Sequence, residues 1–193
     1  MAEDAGPEEN PWQTLSSELK YSNPWIEVTE HQVVNPSGGP GIYGTVHFKH
    51  LAIGILPLDH EGYTWLVGQY RYPLERYSWE IPEGGGVHGV DPLDSAKREL
   101  QEETGIEAKN WQRLVEIDMS NSVSDERATV FLATGLTFGE SSPEETEALM
   151  VRRVPFDEAY AMVLSGEITD SMSVAGILRL KLMLADGGLA DPS

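Results

Sequence analysis

The stretch GGGVHGVDPLDSAKRELQEETGI, residues 84–106, constrains the fold more than any other part of the chain. It sets a cluster of glycines directly before a helix whose two ends are both marked. Asp91 suits the N-cap, Pro92 the first helical position, and Asp94 falls three after the cap. Gly105 is the residue type that closes helices in a left-handed conformation. The signals predict a helix over 92–104, preceded by a glycine loop, EGGGVHG. Leu93, Ala96, Leu100 and the methyl of Thr104 recur at three- and four-residue steps and form the expected buried stripe. Glu99, Glu102 and Glu103 gather on another face, with Glu99 and Glu103 one turn apart.

Like charges at that spacing repel, by about some tenths of a kcal/mol per pair. Arg98, four before Glu102, offsets part of this. By residue type alone the ridge is either a solvated acidic face or a cation site. Magnesium takes carboxylate oxygens and keeps several waters, so carboxylates on one rigid helix can share it with a substrate phosphate. Gly84, Gly85, Gly86 and Gly89 let main chain come close to a ligand, which favours the second reading.

The rest of the chain supplies the frame. Residues 1–11 are polar and acidic and are expected to be a disordered tail; residues 187–193 form a second, flexible one. Over residues 12–50, WIEVTEHQVV and IYGTVHF read as strands around the turn cluster NPSGGPG, giving a small N-terminal β-extension. LAIGILPL and YTWLVGQYR have the short apolar runs of strands covered on both faces. SWEI, WQRLVEI, RATVFLATGL and EALMVRRV read as further strands, and helices are expected over 156–164 and from Ser173 to about Ala185. Many strands, one central helix and helices at the end make a mixed α/β (α+β) fold rather than a regularly alternating one.

The net charge is −19, from 32 acidic and 13 basic residues. A field of that sign opposes nucleic acid and anionic membrane, and lets a phosphate bind only where cations invert the local charge. With no cysteine there is no thiolate chemistry and no disulfide. The start of the chain has neither the basic residues nor the apolar run of a signal peptide, and no apolar stretch approaches a membrane span, so a cytoplasmic protein is expected. The five histidines form no metal set; His47 and His50, three apart in one apparent strand, are expected on opposite faces, and His88 lies in the glycine loop.

Residues 84–106 resemble the box of the Nudix hydrolases: a glycine, five residues, a glutamate, seven residues, then REUxEExGU with U apolar. Gly84, Arg98, Glu99, Leu100, Glu102, Glu103, Gly105 and Ile106 match, whereas Val90 stands where the pattern has its first glutamate. GQYRYPLERYSWEIPEGG, SNSVSDERATVFLA and EITDSMSVAGIL resemble segments of the ADP-ribose and nucleoside-diphosphate-sugar pyrophosphatase branch, so that the similarity runs over most of residues 50–180. The resemblance implies an α/β/α sandwich around a mixed sheet over residues 51–186 as the catalytic domain. It also implies a homodimer, with the β-extension over 12–50 swapped toward the partner's site.

The implied reaction is Mg2+-dependent, or Mn2+-dependent, cleavage of a nucleoside diphosphate sugar such as ADP-ribose to a nucleoside monophosphate and a sugar phosphate. The alternatives are a hydrolase of nucleoside triphosphates or dinucleoside polyphosphates, and a ligand-binding regulatory module without catalysis. On the resemblance, Glu99 and Glu103 are metal ligands, assisted by Glu102 and by the main-chain carbonyl of Glu83. Arg98 orients the box carboxylates, with Glu80 as its expected partner. Glu126 is the expected general base, with Asp125 next in line. Arg71 is assigned to the diphosphate because its guanidinium suits bidentate phosphate contact. Trp25 and Tyr43 are the candidate platforms for base stacking.

Overall fold

A computed structural model gives the architecture, described for residues 10–141 and 149–187. Apart from residues 10, 11 and 187, the expected tails lie outside the described residues, as do the first two residues of the segment EALMVRRV. The chain divides into two units, the first made of the residues up to Lys49 together with Ser120–Glu126, the second of His50–Met119 and the residues from Arg127 onward.

The first unit is a three-stranded antiparallel meander of β1 (Gln13–Ser22), β2 (Ile26–Val34) and β3 (Pro40–Phe48). The turn cluster joins β2 to β3 as expected, with the Asn35 side chain accepting the amides of Ser37 and Gly39. β1 is a strand that the sequence reading missed. All ten of its residues are exposed and its pairing with β2 shifts register twice, so no alternation of apolar residues marks it.

The second unit carries β4 (His50–Pro57), β5 (Tyr63–Arg71), β6 (Arg76–Glu80), β7 (Glu83–Val87), α1 (Pro92–Thr104), β8 (Ile106–Asp118), β9 (Arg127–Phe138), β10 (Met150–Pro155), α2 (Phe156–Ser165) and α3 (Ser171–Ala185). One sheet runs β7-β4-β9-β8 and a second β10-β5-β6. β4 and β9 are parallel and the remaining pairs antiparallel, so the first sheet is mixed.

Side-chain alternation along the two central strands builds two cores, one on each face. Ile53, Ile55, Phe131 and Ala133 pack with Ala96 and Leu100 of α1. Leu56, Val130 and Leu132 pack with Phe156 and Ala159 of α2 and with Met172, Ile177 and Leu180 of α3. Helix α1 on one face and helices α2 and α3 on the other make the expected α/β/α sandwich.

Two details differ from expectation. The glycines at 84–86 are not a loop but the middle of β7, paired with β4. Glycine is usually weak in a strand, but Gly86 is hemmed in by its neighbours: a Cβ there would lie 3.0 Å from Ile53 Cγ1 of the paired strand β4 and 3.4 Å from Ser95 Oγ of α1. His47 and His50 also belong to different strands, since β3 ends at Phe48 and β4 begins at His50.

Candidate active site

Helix α1 starts and stops where its caps place it. Asp91 Oδ1 accepts the Leu93 amide at 3.0 Å, and Gly105 closes the last turn at φ 71°. Its buried side is wider than the apolar stripe. Ala96 and Leu100 are fully buried, but so nearly are Glu99 and Glu103, at 8% and 2% exposure, whereas Leu93 and Thr104 are only half-buried. The acidic ridge is therefore not a solvated face.

Both carboxylates are keyed to the backbone of β7. Glu99 Oε1 accepts the Gly85 amide at 3.1 Å, and Glu103 Oε2 accepts the Glu83 amide at 2.9 Å. Between those amides sits Gly84, where any Cβ would occupy the space taken by the Glu99 carboxylate. The glycine that opens the box is thus required by close approach, not by a turn. Arg98 donates to Glu99 Oε1 at 2.5 Å, to Glu102 Oε2 at 2.6 Å and to the Gly85 carbonyl at 2.9 Å. It thus touches two box carboxylates, while its expected partner Glu80 is engaged elsewhere.

Glu80 and Glu83 hold Arg71 instead. Arg71 Nε lies 3.0 Å from each Glu80 oxygen, Nη2 lies 2.5 Å from Glu80 Oε2, and Nη2 also pairs with Glu83 Oε1. The guanidinium assigned to a diphosphate is therefore committed in large part to two carboxylates. Burial alone would lower the Arg71 pKa, but Glu80 and Glu83 outweigh it and raise it.

Asp170 completes this second cluster: Glu80, Glu83 and Asp170 offer oxygens within 4.8 Å of one another. Burial, then Asp170 and Glu80, push the Glu83 carboxyl well above the usual range, against the pull of Arg71. Asp170 also caps α3, accepting the Ser173 amide at 2.8 Å, while Ser173 Oγ accepts the Ile81 amide at 2.9 Å. The sequence reading missed Asp170 because it began that helix at Ser173. The cap signal of an Asp three before a Ser would have found it.

The donor set suits a hard divalent cation: carboxylate and carbonyl oxygens, with no thiolate and no imidazole among them. Glu83 Oε2 is buried and has no hydrogen-bond partner among the described residues, as expected of an oxygen that a cation would satisfy.

In the first unit, Asp125 and Glu126 differ sharply. Asp125 Oδ2 lies 2.6 Å from His47 Nδ1 and Oδ1 accepts the Phe48 amide at 3.0 Å. Burial pushes Asp125 upward, but these bonds outweigh it and its pKa is lowered. Glu126 is half-buried, and burial together with the neighbouring Asp125 raises its carboxyl. Tyr43 donates its hydroxyl to the Ser122 carbonyl at 2.7 Å and meets the Trp12 ring edge-on at 5.1 Å. Trp25 is 66% exposed.

Comparison with known proteins agrees with this geometry. Residues 48–171 match the NUDIX domain, and residues 12–46 match the nucleoside diphosphate sugar hydrolase N-terminal domain. An ADP-ribose pyrophosphatase of Mycobacterium tuberculosis is 37% identical over 188 residues, covering 95% of this chain and 89% of the relative. A second ADP-ribose pyrophosphatase, from Bacillus subtilis, is 34% identical over 172 residues, covering 88% and 92%. The crystal structure of an ADP compounds hydrolase superposes with a TM-score of 0.82 at 18% identity, covering 95% of this chain and all of that one, which shows the shared fold. A capped helix whose buried glutamates bind the amides of a glycine strand, carried on that fold, places the chain in the NUDIX family as a Nudix hydrolase, in the branch with the nucleoside diphosphate sugar hydrolase N-terminal domain.

Proposed function

We propose that the chain hydrolyses the pyrophosphate of ADP-ribose or a related nucleoside diphosphate sugar, releasing a nucleoside monophosphate and a sugar phosphate. The observation that carries this reading is the pair Glu99 and Glu103, buried on α1 and fixed to the Gly85 and Glu83 amides around a glycine that has no room for a side chain. Such rigidity suits a reaction that depends on positioning and on charge neutralisation. The relatives named ADP-ribose pyrophosphatase support the substrate class.

Glu99, Glu103, Glu102 and the carbonyl of Glu83 would hold Mg2+ or Mn2+, which when bound neutralises phosphate charge and makes water more acidic. Arg98 fixes Glu99 and Glu102 at their working angles. Glu126 takes the proton of the attacking water as its oxygen bonds to phosphorus. The phosphorus–oxygen bond to the other phosphate breaks, and that phosphate leaves with the electron pair. Asp125 is poorly suited to the same task, since both its oxygens are already engaged. Arg71 keeps 34% of its side chain exposed for a substrate phosphate, and Trp25 offers the exposed aromatic face for a base.

The exposed apolar residues Leu15, Leu19, Tyr21 and Ile42 of the meander suit a homodimer contact, and light scattering of the purified protein tests it. The activity is tested by incubating the protein and Mg2+ with ADP-ribose, GDP-mannose, UDP-sugars and ATP. Nucleoside monophosphate from the sugar nucleotides supports the reading. Pyrophosphate from ATP alone would replace it with a triphosphate hydrolase, and binding without turnover would replace it with a regulatory module.

A further inference from the structure

The side chain of Glu83 lies on the face of β7 turned away from α1. Successive residues of a strand alternate between its faces. A Cβ at Gly84 would enter the Glu99 carboxylate, and one at Gly86 would meet Ser95 of the same helix. Glu83, one position before Gly84 in the strand, therefore points the other way. There it meets Glu80 of β6 and Asp170, the N-cap of α3, and each of the three offers an oxygen within 4.8 Å of the others. None of these side chains comes from α1.

Charge in this group is out of balance. Three carboxylates face one guanidinium: among the described residues, Arg71 is the only basic side chain in ion-pair contact with any of them. It is taken up by both Glu80 oxygens and by Glu83 Oε1. Asp170 gives Oδ2 to the Ser173 amide at 2.8 Å. Glu83 Oε2 is left buried and without a hydrogen-bond partner, in a side chain only 8% exposed. A buried carboxylate oxygen with no partner is costly, and like charges this close repel. What would settle the group is a positive charge that accepts oxygen ligands.

We propose that Glu80, Glu83 and Asp170 bind a hard divalent cation, of the Mg2+, Mn2+ or Ca2+ class, at a site separate from the box carboxylates and on the opposite face of β7. Such ions take carboxylate oxygens and complete their shell with water, and the donors here include no sulfur and no imidazole. A divalent cation, added to the one guanidinium, balances the three carboxylates. Glu83 serves the two places through different groups: its side chain faces this ion, while its amide holds Glu103 at 2.9 Å. An ion here therefore steadies the residue on which a box glutamate rests. Its binding is independent of which substrate the box cleaves.

Mn2+ bound per chain, counted by equilibrium dialysis of the full-length protein without substrate, tests the site. The proteins compared are the wild type, Asp170→Asn, the double variant Glu99→Gln with Glu103→Gln, and the triple variant. Asn keeps an oxygen for the Ser173 amide, and each Gln keeps one for its β7 amide, so the folds are expected to survive. Asp170→Asn is expected to bind one ion fewer than the wild type. The double variant should keep one ion, and the triple variant should lose it. Anomalous scattering from wild-type crystals soaked in Mn2+ locates the ion without any substitution, and a peak is expected among Glu80, Glu83 and Asp170. An unchanged ion count in Asp170→Asn overturns the site and means that a proton shared between Glu83 and Asp170 balances the group instead. Peaks beside α1 alone, or loss of every ion from the double variant, overturn it as well. Each of these outcomes leaves the hydrolytic reading of the box to its own assay.

Discussion

Glu103 Oε2 accepts the backbone N–H of Glu83 at 2.9 Å, so the last acid of the box helix is bolted to the strand that precedes that helix. An amide side chain can still accept that hydrogen bond. Glu103→Gln is therefore expected to melt near the wild type while losing turnover by about 100-fold or more, since it removes charge from the site without removing the contact. Glu103→Ala leaves the Glu83 amide without its acceptor and is expected to cost about 1–3 kcal/mol as well. Turnover of ADP-ribose and urea unfolding of the two variants measure the two effects separately.

Gly84→Ala tests the close approach. Its methyl would displace the Glu99 carboxylate, which is flanked by Arg98 and the Gly85 amide. The variant is expected to need far more Mg2+ for half-maximal activity and to lose about 1–3 kcal/mol to overpacking. A Mg2+ activation curve like that of the wild type would sink the assignment of Glu99 as a ligand.

The pH dependence of turnover follows from Glu126. Burial, and then the charge of Asp125, raise its carboxyl above the ordinary range. A base works only when deprotonated, so activity is expected to fall on acidification at a pH above that of an exposed glutamate. Profiles of kcat against pH locate this acid limb, and it should be missing from the residual activity of Glu126→Gln.

Stability has its own pH dependence, at Asp59. Burial pushes this carboxyl up, but Arg153 at 2.5 Å and the amides of Tyr63 and Glu61, both at 2.9 Å, outweigh it and lower its pKa. A depressed carboxyl stabilises the fold above its unfolded pKa and loses that contribution as pH falls through the folded value. Asp59→Asn is therefore expected to be less stable than the wild type at neutral pH, with the gap narrowing below about pH 4. Urea melts of both proteins across that range would show it.

Leu100 is fully buried between α1 and the sheet. Leu100→Ala is expected to destabilise by about 2–5 kcal/mol, with slope m unchanged in urea unfolding.

The sequence was most readable where local chemistry and packing agree. The Asp91 cap, Pro92 and Gly105 fixed α1 to the residue, because each acts within one turn. The apolar runs in LAIGILPL and RATVFLATGL located β4 and β9 for the same kind of reason: both their faces are covered. β1 escaped because an exposed strand leaves no burial pattern to read. The glycines of β7 suggested a loop, since only contacts made in the fold, Glu99 of α1 at Gly84 and Ile53 of β4 at Gly86, explain why a strand should be bare at those two positions. The pairing of Arg71 with Glu80 and Glu83 was also hidden. Residues 71 and 80 lie on adjacent strands, and the sequence shows neither the β5–β6 register nor which acids face inward.

Asp170 belongs at once to the cap of α3 and to the acidic group with Glu80 and Glu83. A cation that relieved the repulsion in that group would thereby stabilise the first turn of α3, whose Ser173 is tied to Ile81 in the chain just before the box strand. Ligation and helix stability are then thermodynamically linked through one side chain. Saturating metal should raise the melting temperature of the protein by more than it raises that of Asp170→Ser, which keeps a cap but not the charge.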